Sequence, residues 1–578
     1  MKHDAHAEKE PILKFEHFGF QYNAQQAPTL YDICLEVHKG ERILIAGPSG
    51  CGKSTLIHCM NGLIPFSYKG ESTGLMTIAG QEAKKLSLHK ISRTVGTVLQ
   101  DSDGQFVGMT VAEDIAFALE NDCIRDPQLH DRVQAVAQLV NLQDFLSHAP
   151  GDLSGGQKQR VSMAGILVDD VDVLLFDEPL ANLDPATGKQ AIELIEQLQK
   201  ETGAAVIIVE HRLEDVLHRH VDRVVVMQAG HILSNTSADE LLATEILSEC
   251  GIREPLYVTA LKYAGVTLTP EMLPASLQTI RLSEAQKQQV RDWFHTVPAA
   301  GPAAERPVLL ETQHLEFAYS NGHRALEDIS LKLREGELLA IVGTNGAGKS
   351  TFAKAVCGFE QPQQGVLKLH GEDMTGQSIK ERADHIGYVM QNPNQMICKV
   401  MIFDEVAMGL RTRNVPEEEI RPRVEQALKV CGLWPFRNWP VGALSFGQKK
   451  RVTIASILVL EPELIILDEP TAGQDYRHYT EIMEFLTELN RHGITIAMIT
   501  HDMHLMLEYA HRVVVFSHGR IIADDTGANI LTDQEIVDRA SLKETSLYAL
   551  AMLCGLSRQE SRDFVQRFID HEREVCRR

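Results

Sequence analysis

The sequence predicts an α/β fold in two tandem domains, and three observations carry that expectation. A glycine-rich loop of the form GxxxxGK[ST] occurs twice, as GPSGCGKST at Gly47 to Thr55 and GTNGAGKST at Gly343 to Thr351. Each loop follows an apolar run, Ile43 to Ala46 or Leu338 to Val342, that reads as a buried strand, and each precedes a helix opening at the Ser-Thr pair. A series of shorter motifs then recurs in the same order in both halves, nearly in register.

The loops define the first chemistry. Their glycines let successive backbone N–H groups curl around α- and β-phosphates, and the helix N-terminus adds partial positive charge. Lys53 and Lys349 would reach the β- and γ-phosphates, and the hydroxyls of Ser54 and Ser350 would ligate Mg²⁺. Gly47, Pro48, Ser49, Gly50, Cys51, Gly52 and Thr55 complete one candidate ATP cradle. Gly343, Thr344, Asn345, Gly346, Ala347, Gly348 and Thr351 complete the other. One such loop alone also suits phosphate binding without hydrolysis, so the downstream residues decide.

That downstream set opens with Gln100 and Gln391, each after an apolar run (Val95 to Leu99, Ile386 to Met390). LSGGQ at Leu153 to Gln157 and LSFGQ at Leu444 to Gln448 come next. The acidic pairs Asp177-Glu178 and Asp468-Glu469 then end apolar strands, Val173 to Phe176 and Leu464 to Leu467. ANLD and AGQD follow, ending on Asp184 and Asp475, and His211 and His501 close the series. Ser154 to Ser445, Asp177 to Asp468 and Asp184 to Asp475 are each 291 residues apart, His211 to His501 is 290 and Lys53 to Lys349 is 296. Asp177 and Asp468 suit Mg²⁺, because a hard cation takes carboxylate oxygen. Glu178 and Glu469 would orient or deprotonate the attacking water. A solvated strand end explains one such pair but not two in register.

In its order of motifs the chain resembles a fusion of two ABC-type ATPase domains, and the likeness covers nearly its whole length. The stretches QDSDGQFVGMTVAEDIAFALEN (Gln100 to Asn121) and QNPNQMICKVMIFDEVAMGL (Gln391 to Leu410) further resemble the ATPases of energy-coupling-factor importers, of the cobalt, vitamin or thiamine-precursor type. The resemblance implies two tandem P-loop domains, each with a RecA-like core, an antiparallel β subdomain, a helical signature subdomain and a C-terminal helical tail. It implies an ATPase with ATP and Mg²⁺ as cofactors, peripheral on the cytoplasmic face of the cell membrane. Its partners would be an integral membrane scaffold subunit and a small substrate-capture membrane subunit. Cargo selection would belong to the latter, so a vitamin, its pyrimidine precursor and a transition-metal ion all stay open.

Each signature motif reads as a helix start (Gln157 to Val168 has helical patterning), whose Ser hydroxyl and N–H groups suit a γ-phosphate. The resemblance implies that this anion site completes the other half's nucleotide. Site one would pair Lys53 with Ser445, Gly447 and Gln448; site two would pair Lys349 with Ser154, Gly156 and Gln157, in an intramolecular pseudo-dimer, with Gly155 a further ATP-binding candidate. Within these sites His211 and His501 would contact the γ-phosphate, and Gln100 and Gln391 would sense metal and phosphate where the membrane subunit docks. Tyr22 and Tyr319, 31 and 30 residues before their lysines, would stack on adenine, although FQY and FAY also read as strand alternation. Phe446 replaces the first signature glycine, which predicts a mild functional asymmetry with site one slower.

Composition narrows the alternatives. The 578 residues suffice for two domains with their own cores, set at 1–265 and 308–578 with a linker region at 266–307. Pro, Ala and Gly concentrate in the connector Val297 to Pro307. A net charge of −23 argues against nucleic-acid partners, which demand clustered Lys and Arg. No apolar run approaches the roughly 18–20 residues of a membrane span, and mean hydropathy is −0.13. The N-terminus MKHDAHAEKE lacks the apolar stretch of a signal peptide. Ten cysteines without a CxxC pair read as reduced thiols, with Cys51 a spacer in its loop. A soluble tandem ATPase acting on ribosomes or nucleic acid would carry a basic helical linker, which 240–306 is not. A fused sugar-importer ATPase would have a degenerate second site, whereas Lys349, Asp468, Glu469 and His501 are all present.

Two tails complete the reading. GIREPLYVTAL (Gly251 to Leu261) has a counterpart in SLKETSLYALAML (Ser541 to Leu553), with Tyr257 and Tyr548 again 291 apart. Family resemblance makes both tails packing elements. Arg558 to Arg578 places Phe564, Val565, Phe568 and Ile569 at helical spacing, which predicts a docked terminal helix.

Overall fold

The computed structural model describes residues 10–99, 103–181, 183–298, 306–471 and 474–575. Gln100 of the expected site lies outside the described residues, as do Asn182, Ala472 and Gly473 of the Asp-terminated loops and 299–305 of the connector. The chain divides into two compact units, Met1–Leu183 with Thr187–Val290 and Asp184–Ala186 with Arg291–Arg578.

The apolar runs of the first unit become a six-stranded sheet in the order His231–Thr236, Arg223–Gln228, Arg42–Ala46, Ala205–Val209, Val173–Asp177, Val95–Val98. Its neighbours pair in parallel except for the antiparallel edge strand His231–Thr236. Sequences such as AVIIV and VLLF are apolar throughout because such strands are covered on both faces. The second unit repeats this topology with Ile386–Val389, Leu464–Asp468, Thr495–Ile499, Leu338–Gly343, Arg512–Ser517 and Arg520–Asp525. In both sheets the P-loop strand, the strand that leads to the histidine, the acidic-pair strand and the edge strand (Val95–Val98, or Ile386–Val389 leading to Gln391) lie side by side in that order. Their carboxyl ends therefore bring the motifs to one edge, where ligands of open parallel sheets bind.

A four-stranded antiparallel sheet accompanies each core: Leu30–Val37, Leu13–Tyr22, Gly70–Ile78 and Gln81–Glu82 in the first unit. Its second-unit equivalent is Arg324–Arg334, Val308–Ala318, Gln364–Leu369 and Glu372–Asp373. The signature helices, Gly155–Leu167 and Phe446–Leu458, belong to helical segments. In the second unit the helix Phe446–Leu458 shares an apolar core with Ile402–Thr412 and Glu417–Val430, including Val406, Leu410, Val424, Leu428 and Val452.

The first signature helix starts two residues before the sequence-based estimate of Gln157, because Ser154 supplies its cap. The P-loop helices likewise begin at the lysine, one residue earlier than the Ser-Thr pair. The first tail forms the short helices Ala238–Leu242, Ile246–Glu249 and Leu256–Tyr263, with Tyr257 buried and its hydroxyl donating to the Pro274 carbonyl at 2.6 Å. Region 266–307 contains a further helix, Glu284–Thr296, started by Ser283, whose N–H donates to the Gln286 side-chain oxygen at 2.9 Å. The division between units falls inside that helix. The C-terminal helix Arg558–Val575 buries Phe564, Val565, Phe568 and Ile569. Trp293 meets Phe564 edge-on at 5.5 Å, and Arg567 lies 4.4 Å from the Phe294 ring centre while donating to the Phe294 and Val297 carbonyls.

Candidate active site

Both glycine-rich loops have the geometry their spacing predicts. Gly52 and Gly348 cap the P-loop helices at φ +105° and +99°, left-handed backbone that a side chain disfavours. A Cβ on Gly348 would also meet the Ala325 carbonyl oxygen. The buried Lys53 ammonium donates to the Gly47 and Pro48 carbonyls at 2.7 and 3.0 Å, and Lys349 donates to Gly343 and Thr344 at 2.8 Å each. The lysines thus span their own loops from within. Burial pushes the Lys349 ammonium down to about 8 against the opposing pull of Glu469 and Asp468. Ser49, Gly50, Asn345 and Gly346 are exposed at the loop tips, whereas Cys51, Ala347, Thr55 and Thr351 are buried. Among the described residues nine cysteines are free thiols.

Tyr22 and Tyr319 stand beside these helices. Each hydroxyl is hydrogen-bonded to the threonine after the Mg²⁺-candidate serine, Tyr22 to Thr55 at 3.0 Å and Tyr319 to Thr351 at 2.9 Å. The ring faces are partly buried, with Tyr319 stacked near His323 and Tyr22 edge-on to Tyr68.

The acidic pairs emerge at their strand ends. Burial, then repulsion from Glu178, pushes the Asp177 carboxyl up to about 6, with Lys53 pulling the other way. Glu469 is pushed up to about 8 by burial and by Asp468, with Lys349 opposing. Glu178 and Glu469 have φ of +49° and +47°, a left-handed conformation costing a non-glycine residue about 1–3 kcal/mol. Their N–H groups are held by the Val209 and Ile499 carbonyls, each at 2.9 Å, which fixes that turn at the sheet edge. His211 Nε2 lies 3.0 Å from Glu178 Oε1, and His501 Nε2 lies 3.4 Å from Glu469 Oε1. In each half the base candidate and the histidine form one unit.

The signature serines are helix caps. Ser154 Oγ accepts from the Gln157 N–H at 3.4 Å while Gln157 Oε1 accepts from the Ser154 N–H at 2.9 Å; Ser445 and Gln448 repeat this at 3.3 and 3.0 Å. A capping hydroxyl still has its own O–H to donate, so an exposed Ser154 or Ser445 keeps a donor for an anion. Phe446 is 42% exposed, and a Cβ on its counterpart Gly155 would have Leu183 as its nearest neighbour at an ordinary 3.7 Å. Gly156 is different, because a Cβ there would lie 2.6 Å from Thr187. Asp475 caps the helix Tyr476–Arg491 by accepting from the His478 N–H at 2.9 Å, and Asp184 is buried just before the helix Pro185–Thr202. Gln391 is exposed.

Three residues of the site were missed by motif reading. Glu210 is buried and accepts from the His211, Arg212 and Leu180 N–H groups at 2.9, 3.2 and 3.3 Å; its counterpart is Thr500. Tyr388 donates to Asp468 Oδ2 at 2.9 Å, where the first half has Thr97. The third, Lys450, donates to the Met390 and Gln391 carbonyls. The available signal was the difference between repeats at each position, VEH against ITH, GTV against GYV, and QKQR against QKKR.

A central P-loop strand, an acidic pair two strands along the same sheet and a capped signature helix, all present twice, define a tandem P-loop ATPase. The chain belongs to the ABC transporter family, whose pattern matches residues 30–181 and 326–472. It is accordingly an ATP-binding, ATP-hydrolysing transporter subunit. A family described as ATP-binding cassette cobalt transporter matches residues 244–317. The chain is 54% identical to a putative ABC transporter ATP-binding protein of Clostridium perfringens (strain 13 / Type A), over 98% of this chain and 99% of that one. It is 55% identical to a putative ABC transporter ATP-binding protein of Enterococcus faecalis (strain ATCC 700802 / V583), again over 98% and 99%. Among solved structures, cbiO1 from Clostridium perfringens, part of the ABC transporter complex cbiONQ, is 36% identical over 40% of this chain and 94% of its own, with a TM-score of 0.38.

Proposed function

We propose that this chain energises a membrane importer of the energy-coupling-factor type, working with a polytopic scaffold subunit and a small capture subunit. The observation that carries this reading is the match of residues 244–317 to the family described as ATP-binding cassette cobalt transporter. That description favours a transition-metal ion among the candidate cargoes. No helix among the described residues is long and apolar enough to cross a membrane. In this reading the chain would act from the cytoplasmic face on a separate membrane protein.

The donor set fits Mg²⁺ in both halves. Ser54 and Ser350 follow the P-loop lysines, and Asp177 and Asp468 end strands of the same sheet two places from the P-loop strand, with Asp177 held up by burial and a second carboxylate. A hard dication would relieve that repulsion and, when bound, neutralise phosphate charge. The glutamates would hold the attacking water, with His211 and His501 orienting them. Gln100 and Gln391 would complete the metal and γ-phosphate contacts, and Tyr22 and Tyr319 would stack on adenine.

Each nucleotide would be shared between the halves: Lys53 with Ser445, Gly447 and Gln448, and Lys349 with Ser154, Gly156 and Gln157, with Gly155, Asp184 and Asp475 alongside. ATP would close the pseudo-dimer and push the scaffold, and hydrolysis would reset it. Domains at 1–265 and 308–578, joined through 266–307, suit that cycle. Affinity-tagging the chain in its host, extracting it gently from membranes and identifying what co-purifies tests the reading. A polytopic scaffold with a small membrane protein is expected. Ribosomes, or no membrane partner, would contradict it.

A further inference from the structure

The two halves differ at a buried position of the signature helix. Lys450 is 1% exposed, yet burying an ammonium group costs several kcal/mol unless it is hydrogen-bonded or paired. Its Nζ donates to two successive carbonyls, Met390 and Gln391, at 2.8 Å each. The neighbouring Lys449 reaches Asn394 Oδ1 in the same loop at 3.2 Å. The charges that act on the Lys450 ammonium are Asp468 and Glu469. One side chain on the signature helix therefore holds the glutamine loop while lying in the field of the acidic pair. The equivalent residue in the first half is the neutral Gln159, also buried, whose amide donates to the Pro179 carbonyl beside Glu178.

We propose that Lys450 is a positioning residue of the second half, tying the signature helix to the backbone of Gln391 so that the glutamine loop and the pair Asp468-Glu469 keep the arrangement hydrolysis needs. The signature helix itself does not require a cation there, since Gln159 occupies the same place in the first half. The inference rests on the reading of Gln391, Asp468 and Glu469 as parts of one ATP site. It adds a physical link: the helix capped by Ser445, which would serve the nucleotide on Lys53, is fastened to the loop that serves the nucleotide on Lys349. Removing the ammonium leaves both carbonyls without their charged donor and frees the loop, while the P-loop, Tyr319 and Thr351 are untouched. Binding should survive and hydrolysis should not.

The test uses the full chain with Lys450→Gln, which installs the residue the first half already accommodates, and Lys450→Met as a second variant. Photoreactive azido-ATP with Mg²⁺ is bound on ice to measure occupancy of each half. It is then trapped with vanadate at working temperature to measure hydrolysis, and labelled peptides assign the signal to a half. Trapping on second-half peptides should fall by about tenfold or more, since losing even one of the two charge-assisted hydrogen bonds costs that much, with occupancy on ice within about twofold of the unaltered chain. Amide exchange in residues 390–398 should rise at the same time. Unchanged second-half trapping, or a fall matched by lost occupancy, would overturn the proposal. Glu469→Gln separates the two levels: if it too leaves second-half trapping intact, the reading of the ATP site has failed, and if it alone abolishes trapping, only the role of Lys450 has.

Discussion

Lys349 shows how one side chain does several jobs at the P-loop. It is buried, it is held by two carbonyls of its own loop, and the charges of Glu469 and Asp468 act on it. Exchanging those carbonyls for phosphate oxygens replaces neutral acceptors by charged ones, which are worth about 1.5–3 kcal/mol each. Lys349→Ala should therefore weaken ATP binding to the second half by about ten- to a hundredfold, read by labelling with azido-ATP. The glutamates carry a second expectation. Glu210, Thr97 and Gln159 in the first half stand against Thr500, Tyr388 and Lys450 in the second, so the two acidic pairs sit in different fields. Glu178→Gln and Glu469→Gln should leave unequal residual turnover, with the site built on Lys53 the slower. Equal rates in the two single variants would remove the asymmetry.

At the scale of elements, the signature helices depend on their first residue. Ser445 completes a capping box with Gln448, and replacing a serine cap by alanine costs about 1 kcal/mol. Ser445→Ala should lower the melting temperature slightly while reducing ATP turnover far more, because the same hydroxyl would face phosphate. The C-terminal helix makes the opposite case. Phe564 and Phe568 are fully buried and meet Trp293, so Phe568→Ala should cost about 3–5 kcal/mol in calorimetric or denaturant unfolding. These elements also show what a sequence makes readable. The P-loop and acidic-pair strands were visible because a strand covered on both faces must be apolar throughout, and the terminal helix because its buried face repeats at helical spacing. The helix Glu284–Thr296 was not, since it is polar over most of its length and its packing depends on distant residues such as Phe564 and Arg567. Tyr388 and Lys450 stayed hidden for a similar reason: their meaning lies in partners, Asp468 and Gln391, that only folding brings near.

For the whole molecule, duplication is the organising fact. Two units carry the same strand order, the same P-loop hydrogen bonds and the same capped signature helices, each with its own acidic pair and histidine. One chain holding two complete sets would form two ATP sites without a second copy. The most direct test is native mass spectrometry of the Glu178→Gln, Glu469→Gln double variant with ATP and Mg²⁺, in which hydrolysis should be blocked and bound ATP should persist. A single chain carrying two ATP molecules is predicted. One ATP per chain, or ATP retained only by a complex of two chains, would contradict the account.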